Sequence, residues 1–240
     1  MLAAIASAAA AAGFAAGACA YAALSPESQF FGRTLIAGSN PAEFALTFDD
    51  GPNDAYTPRL LDLLAEHKVR ATFFLIGNFV QQRPDLVRQI HSAGHLIGNH
   101  TTSHPWLPLL SPRRVSNELA FCNATIEDAI GQPVRFFRPP HGARRPDVLG
   151  AARSLGLTPV LWNAMGFDWR PVLTAEKIAA HLARGIARNQ QRGQGSNLLL
   201  HDGGHRRIGV DRSRSIDATR LLLARYPPGA IRYVTIDAWS

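Results

Sequence analysis

The sequence predicts an α/β fold in which parallel strands are joined by crossover helices. Three observations carry that prediction. From Glu43 onward, short apolar runs alternate with longer segments whose apolar residues recur at helical spacing. The longer segments carry helix start and stop residues, and the polar motifs stand just after the short runs. Strict alternation of this kind leaves an α/β barrel or a doubly wound sheet. In a barrel, functional groups gather at the C-terminal ends of the strands.

The first strand covers Phe44–Phe48 and is stopped by the turn Gly51-Pro52. A helix over Pro58–His67 follows, with Leu60, Leu61, Leu63 and Leu64 as its apolar positions and Pro58 in its first turn. Ala71–Ile76 is the second strand. The second helix, Asp85–Ala93, is entered by Pro84 and stopped by Gly94, and leads to a third strand at His95–Gly98. Ser111–Ile130 is a long helix with Ser111 as N-cap, Pro112 in the first turn and Gly131 after its end. The strand Val134–Arg138 comes next, then a helix at Asp147–Leu155 closed by Gly156, and a strand at Thr158–Trp162. A helix over Thr174–Arg188, capped by Thr174, precedes the strand Leu198–His201; the helix Ser213–Ala224 and the strand Arg232–Ile236 end the chain.

With 240 residues, 46% of them hydrophobic, the chain can bury a large core, which excludes a disordered or fibrous protein. Its 25 basic against 18 acidic residues give a net charge of +7, which favours anionic surroundings. No basic run is interleaved with aromatics, so nucleic-acid binding is not expected. Two cysteines, Cys19 and Cys122, do not make a disulfide framework. Residues 2–24 are apolar and small, and the first charged side chain is Glu27. That length suits an envelope-targeting segment, either an uncleaved membrane anchor or a signal peptide, although no Lys or Arg precedes it. The expected organisation is therefore a segment at 1–24, a linker at 25–41 and one catalytic domain at 42–240. Full-length chain is expected to partition with membranes, and a chain beginning near Asn40 to be soluble and active.

Thr47-Phe48-Asp49-Asp50-Gly51-Pro52 places two carboxylates at the end of the first strand. Neighbouring strand residues point to opposite faces, so Asp49 and Asp50 are forced apart unless the strand ends there. Two carboxylates at a buried strand end are costly unless they bind a metal, meet a cation or do chemistry; the bland alternative is an exposed Asp-Asp-Gly turn. His100 and His104 are four apart, and on a helical turn both imidazoles face one way and can grip one ion. With Asp50 as third ligand, two imidazoles and a carboxylate suit zinc and its neighbours and leave a position open for water. Arg138, His141, Asp168, Trp169 and His201 follow later strands in the same manner. His205 is close enough to His201 to stand at the cleft rim, and Trp106 is either a sugar-facing wall or packing beside Pro105 and Pro108.

Five motifs in order resemble the polysaccharide deacetylases of carbohydrate esterase family 4, the NodB homology domain. They are TFDDGP at 47–52, HTTSH at 100–104, RPPHG at 138–142, DW at 168–169 and LLH at 199–201. The resemblance spans roughly Ala42 to Thr235. It implies a distorted (β/α) barrel and removal of acetyl groups from N-acetylglucosamine polymers such as peptidoglycan or chitin-like oligomers. Deacetylation of acetylxylan, and a catalytically silent glycan-binding module, are the alternatives. The family pattern makes Asp50, His100 and His104 the ligands of one divalent ion, zinc before cobalt or nickel. Asp49 becomes the base that takes a proton from a metal-acidified water, oriented by Arg138, and His201 the acid that protonates the leaving amine, tuned by Asp168. Pro140, His141, Trp169 and Leu199 become substrate-binding residues, His141 through its backbone N–H toward the oxyanion. Two departures bear on specificity: His141 replaces the usual Tyr, and Met165 stands where many relatives have the first Asp of D-x-x-D-W.

Overall fold

Phe44, Ala45, Leu46 and Phe48 carry no exposed surface, because the strand that holds them is flanked on both edges and covered on both faces. In the computed structural model, which describes residues 17–240, this strand is β1 (Glu43–Gly51), paired in parallel with β2 (Thr72–Leu75) and β7 (Ser196–His201). Parallel strands buried on both faces read as continuous apolar runs, which is why the pattern is so legible here. The remaining strands are β3 (Leu96–Asn99), β4 (Phe136–Phe137), β5 (Thr158–Pro159), β6 (Ala164–Met165) and β8 (Arg232–Tyr233). The sheet order is β5-β4-β3-β2-β1-β7-β6, with β8 also against β1.

That order forces curvature. The six spacings between β5 and β6 would separate the edges of a flat sheet by about 29 Å at roughly 4.8 Å per strand. Only Val160–Asn163 join those two edges, a stretch that reaches at most about 18 Å. The sheet therefore curls into a half-barrel. Its opening is filled by an N-terminal stretch: Leu35 bridges to Val160, its N–H donates to Pro159 O (2.8 Å), and its carbonyl accepts from Leu161 N (2.9 Å). Ile36 O accepts from Asn197 Nδ2 on β7 (3.0 Å). Residues 25–41, expected as a linker, are thus fitted into the barrel, and a chain starting near Asn40 would leave its seam open.

Residues 17–24 are helical (α1). Seven further helices surround the sheet: α2 (Thr57–Glu66), α3 (Gly77–Gln82), α4 (Pro84–Ser92), α5 (Pro112–Ile130), α6 (Pro146–Ser154), α7 (Ala175–Gln191) and α8 (Ser213–Arg225). The capping residues act as expected. Ser111 Oγ accepts from Arg114 N, Thr174 Oγ1 from Lys177 N, and Gly131 closes α5 in the left-handed region at φ 67°. α5 buries Val115, Leu119, Cys122 and Ile126 along one face. Two elements escaped the sequence reading, α3 and β6. The first is a six-residue helix opened by glycine and the second only two residues long, both too short to show a period. The strand expectations at 134–138 and 158–162 shrink to β4 and β5. Among the described residues no helix is long and apolar enough to cross a membrane. Most of the apolar run at 2–24 lies outside the described residues.

Candidate active site

The two carboxylates reach one cleft by a route the sequence does not show. β1 does not stop at Phe48; it continues to Gly51, and its register with β2 shifts between Asp49 and Gly51. At this bulge Asp50 takes φ 71°, so the strict alternation that would send Asp49 and Asp50 to opposite faces is broken. Both side chains line a cleft of about 550 Å³. Positive φ recurs around it: of the six non-glycine residues with this conformation among the described residues, Asp50, Thr101, His104, His141 and Phe167 all lie in strand-end segments that build the site. Each costs of order 1–3 kcal/mol and persists only where the surroundings impose it.

The histidine pair also departs from expectation. Residues 100–104 are not a helical turn but an irregular loop, with Thr101 at φ 68° and His104 at φ 58°. Hydrogen bonds fix the loop. Asn99 Oδ1 accepts from Thr101 N (2.7 Å) while its Nδ2 donates to Leu119 O on α5 (2.9 Å), and Thr101 Oγ1 accepts from His104 N (3.0 Å). Ser103 N–H and hydroxyl both donate to Glu118. His100 Nδ1 donates to Arg138 O (2.8 Å), which leaves Nε2 with its lone pair toward the cleft.

Asp50 Oδ1 lies 3.2 Å from His104 Nε2 and 3.5 Å from His100 Nε2. That oxygen is buried and has no hydrogen-bond partner among the described residues. An orphaned carboxylate oxygen facing two imidazole nitrogens, with all three ligand atoms within 4.8 Å of one another, fits a divalent ion. Burial alone would push the Asp50 carboxyl up. The neighbouring His100, His201 and His104 imidazoles outweigh it and hold the group well below the ordinary carboxylate range. Burial and the neighbouring His100 push His104 down to about 2, so it is neutral, as a ligand must be.

Arg138 connects the halves of the site. It is fully buried; Nη1 donates to Asp49 Oδ1 (2.8 Å) and Thr47 Oγ1 (2.8 Å), and Nη2 to Asn197 Oδ1 (3.3 Å). Its guanidinium lies 4.2 Å from the Phe74 ring centroid. The side chain orients Asp49 while the carbonyl of the same residue fixes His100. Across the cleft, His201 Nδ1 meets Asp168 Oδ1 at 2.8 Å, and Asp168 Oδ2 accepts from His201 N and Ser215 Oγ, both at 2.7 Å. Burial opposes the charge on His201, but the Asp168 carboxylate prevails and raises it to about 9.

Leu199, Trp169, His141, Met165 and His205 line the cleft. His205 stacks on His104 at 4.7 Å between ring centroids, and Trp106, half-exposed, stacks on His141 at 4.2 Å. Pro140 is a correction: it is buried and is not part of the cleft lining, so its place in the motif is to shape the 3₁₀ turn Pro140–Gly142. Sequence reasoning missed Thr47, Asn197 and Asn163, which tie β1, β7 and β6 beneath Arg138. Thr47 opens the TFDDGP motif, and the signal of the two asparagines was polarity in or beside apolar runs. It also missed Gly203, where a Cβ would overlap the carbonyl oxygen of Asp50 and approach its carbonyl carbon to 2.5 Å. Backbone cannot yield as a flexible side chain can, so Gly203→Ala is expected to displace Asp50. Metal content at equal protein concentration should fall at least ten-fold, and retention of a full equivalent would show that the segment relaxes instead.

A half-barrel whose strand ends hold a carboxylate and two imidazoles, flanked by an Asp–Arg pair and an Asp–His pair, has the layout of a metal-dependent hydrolase. Comparison with known proteins gives the family. Residues 38–160 match the family model described as polysaccharide deacetylase. The chain is 35% identical over 201 residues to a peptidoglycan-N-acetylglucosamine deacetylase of Bacillus cereus, covering 83% of this chain and 88% of that one. It is 39% identical over 171 residues to a chitooligosaccharide deacetylase of Sinorhizobium fredii, covering 70% and 75%. A solved peptidoglycan N-acetylglucosamine deacetylase superposes with a TM-score of 0.75 at 31% identity, over 85% of this chain and 91% of that one. The chain belongs to the polysaccharide deacetylase family.

Proposed function

We propose that this protein hydrolyses the N-acetyl amide of N-acetylglucosamine units in an envelope polysaccharide, using one divalent ion, zinc, held by Asp50, His100 and His104. One observation supports this most. Asp49 and His201 are register partners on β1 and β7, so a base and an acid stand side by side in the cleft that holds the three ligand atoms. When bound, the ion supplies Lewis-acid polarisation of the acyl oxygen and acidifies a water. Asp49, oriented by Arg138, accepts the proton of the attacking water. His201 presents Nε2 because Asp168 engages Nδ1, and it donates a proton to the nitrogen as the C–N bond breaks, releasing acetate and a free amine. The backbone N–H of His141 faces the developing oxyanion, and Trp169 and Leu199 form apolar walls for the sugar.

Peptidoglycan is preferred over neutral chitin-like oligomers because the chain carries +7 and Arg206 lines the cleft. Such a substrate fits a protein of the cell envelope. The test is acetate release by the full chain, loaded with a defined metal, from peptidoglycan, chitooligosaccharides and acetylxylan. Release from the two amide substrates, greatest on peptidoglycan, is the expected result. Release from acetylxylan alone would overturn the amide reading, and release from none of the three with metal bound would overturn catalysis.

A further inference from the structure

Arg144 is 1% exposed and has no carboxylate partner among the described residues. Its guanidinium donates to four carbonyl oxygens, those of Ser28 (2.6 Å), Ser25 (2.7 Å), Gly142 (3.0 Å) and Ala23 (3.4 Å), and its backbone N–H donates to Ala23 O at 3.1 Å. A buried cation without a counter-charge persists only where its donors are engaged. Three of the four acceptors lie at residues 23–28, so the residue serves to hold that segment. A second contact fixes the other flank, where Glu27 accepts from Arg192 at 3.0 Å. Ala22 and Ser28 are buried by the same docking.

The docked segment reaches the chemistry. Leu24 and Pro26 stand in the wall of the cleft that contains Asp49 and His201. Pro26 also borders an adjoining cavity of about 600 Å³, together with Trp162 and Met165, which belong to both. The divide between the two spaces is therefore made by Pro26, Trp162 and Met165, and the far cavity is walled by Tyr21, Ser25 and Glu27 on one side and Arg184 and Arg188 on the other.

We infer that residues 21–28, latched by Arg144, form a specificity-determining wall of the cleft, and that the cavity beyond Pro26 takes the neighbouring sugar of the glycan chain. Leu24 on the cleft side, and Pro26, Trp162 and Met165 on the divide, offer apolar surface to the C–H faces of successive pyranoses as the glycan passes into the far cavity, whose far side supplies charged and polar groups for hydroxyls. Arg144 is a positioning residue: it touches no substrate and acts through the segment it holds. The inference rests on the deacetylase reading for the identity of the ligand, while the latch itself does not.

The experiment uses full-length chain with Leu24→Ala, Arg144→Met and Arg144→Lys, and the monomer and tetramer of N-acetylglucosamine as ligands. Leu24 is 45% exposed, so its truncation leaves the core intact. Leu24→Ala should raise KM for the tetramer about three- to ten-fold, more than kcat falls and more than KM changes for the monomer, as loss of uniform binding requires. Arg144→Met should give the same length-dependent defect together with faster hydrogen exchange at the amides of residues 25–28, and Arg144→Lys should restore part of both. If wild-type chain binds the tetramer but releases no acetate, the deacetylase reading fails alone, and tetramer affinity replaces KM as the readout. The wall is overturned if Leu24→Ala affects monomer and tetramer equally or neither, or if wild-type chain does not bind the tetramer. Unchanged exchange at residues 25–28 in a folded Arg144→Met protein overturns the latch.

Discussion

Asp49→Asn is expected to retain its metal and lose turnover by about 10²–10⁴-fold, the usual contribution of a positioned general base. The geometry separates the two carboxylates. Asp50 Oδ1 faces both imidazoles, whereas Asp49 Oδ1 accepts from Arg138 Nη1 at 2.8 Å and its Oδ2 stands 3.8 Å from His100 Nε2. An Asn amide can keep the bond to Arg138 through its oxygen but has no basic lone pair for a water proton. It also removes the counter-charge of a fully buried guanidinium, so a loss of stability of a few kcal/mol should accompany the kinetic defect. Activity is therefore compared well below the variant's Tm. His104→Ala should do the opposite, lowering metal content before anything else because one of three protein ligands is gone. Metal analysis beside kcat decides the assignment, and metal-free Asp49→Asn would exchange the roles proposed for Asp49 and Asp50.

Asp168→Asn should move the alkaline limb of the kcat/KM profile to lower pH by about one to three pH units. The acid must be protonated when the amine departs, so activity falls as pH rises through the pKa of His201. Burial pushes that pKa down, and the Asp168 carboxylate at 2.8 Å more than offsets it, leaving it at about 9. Removing the negative charge leaves burial opposed only by the lesser influence of Asp50 and Asp49, which fixes the sign. A bound divalent cation adds positive charge nearby and lowers the limb in both proteins, so the comparison uses one metal and one substrate. The same linkage acts on stability. Because the folded-state pKa is raised, the pair contributes fully below about pH 6.5 and its contribution is lost as pH rises through about 9. Wild-type Tm should decline across that window relative to Asp168→Asn. A limb that stays in place would assign Asp168 to holding the loop through His201 N and Ser215, without tuning the acid.

Much of this protein was legible in its sequence, for reasons that are local. Strand and helix periods are set by residues within one turn or pleat of each other. The alternation from Phe44 to Ile236 therefore predicted the parallel α/β arrangement and all seven strand positions first identified, though not β6 or α3. The capping residues Ser111 and Thr174 act within three positions, and both fell where expected. The candidate ligands and proton-transfer groups were also readable, because His, Asp and Arg at strand ends declare their chemistry by type. Tertiary structure alone decided how those groups meet. The bulge at Asp49–Gly51 and the positive φ of Thr101 and His104 are single-residue backbone choices, imposed by partners such as Asn99 and Gly203 rather than by any periodic pattern. The contacts that close the site are longer in range still. Thr47 meets Asn197 across 150 residues, and Arg144 reaches Ala23 across 121. Nothing in the residues flanking either partner encodes such a pairing; the first arises only when β1 and β7 pair in the sheet, and the second only when the N-terminal segment docks against the barrel.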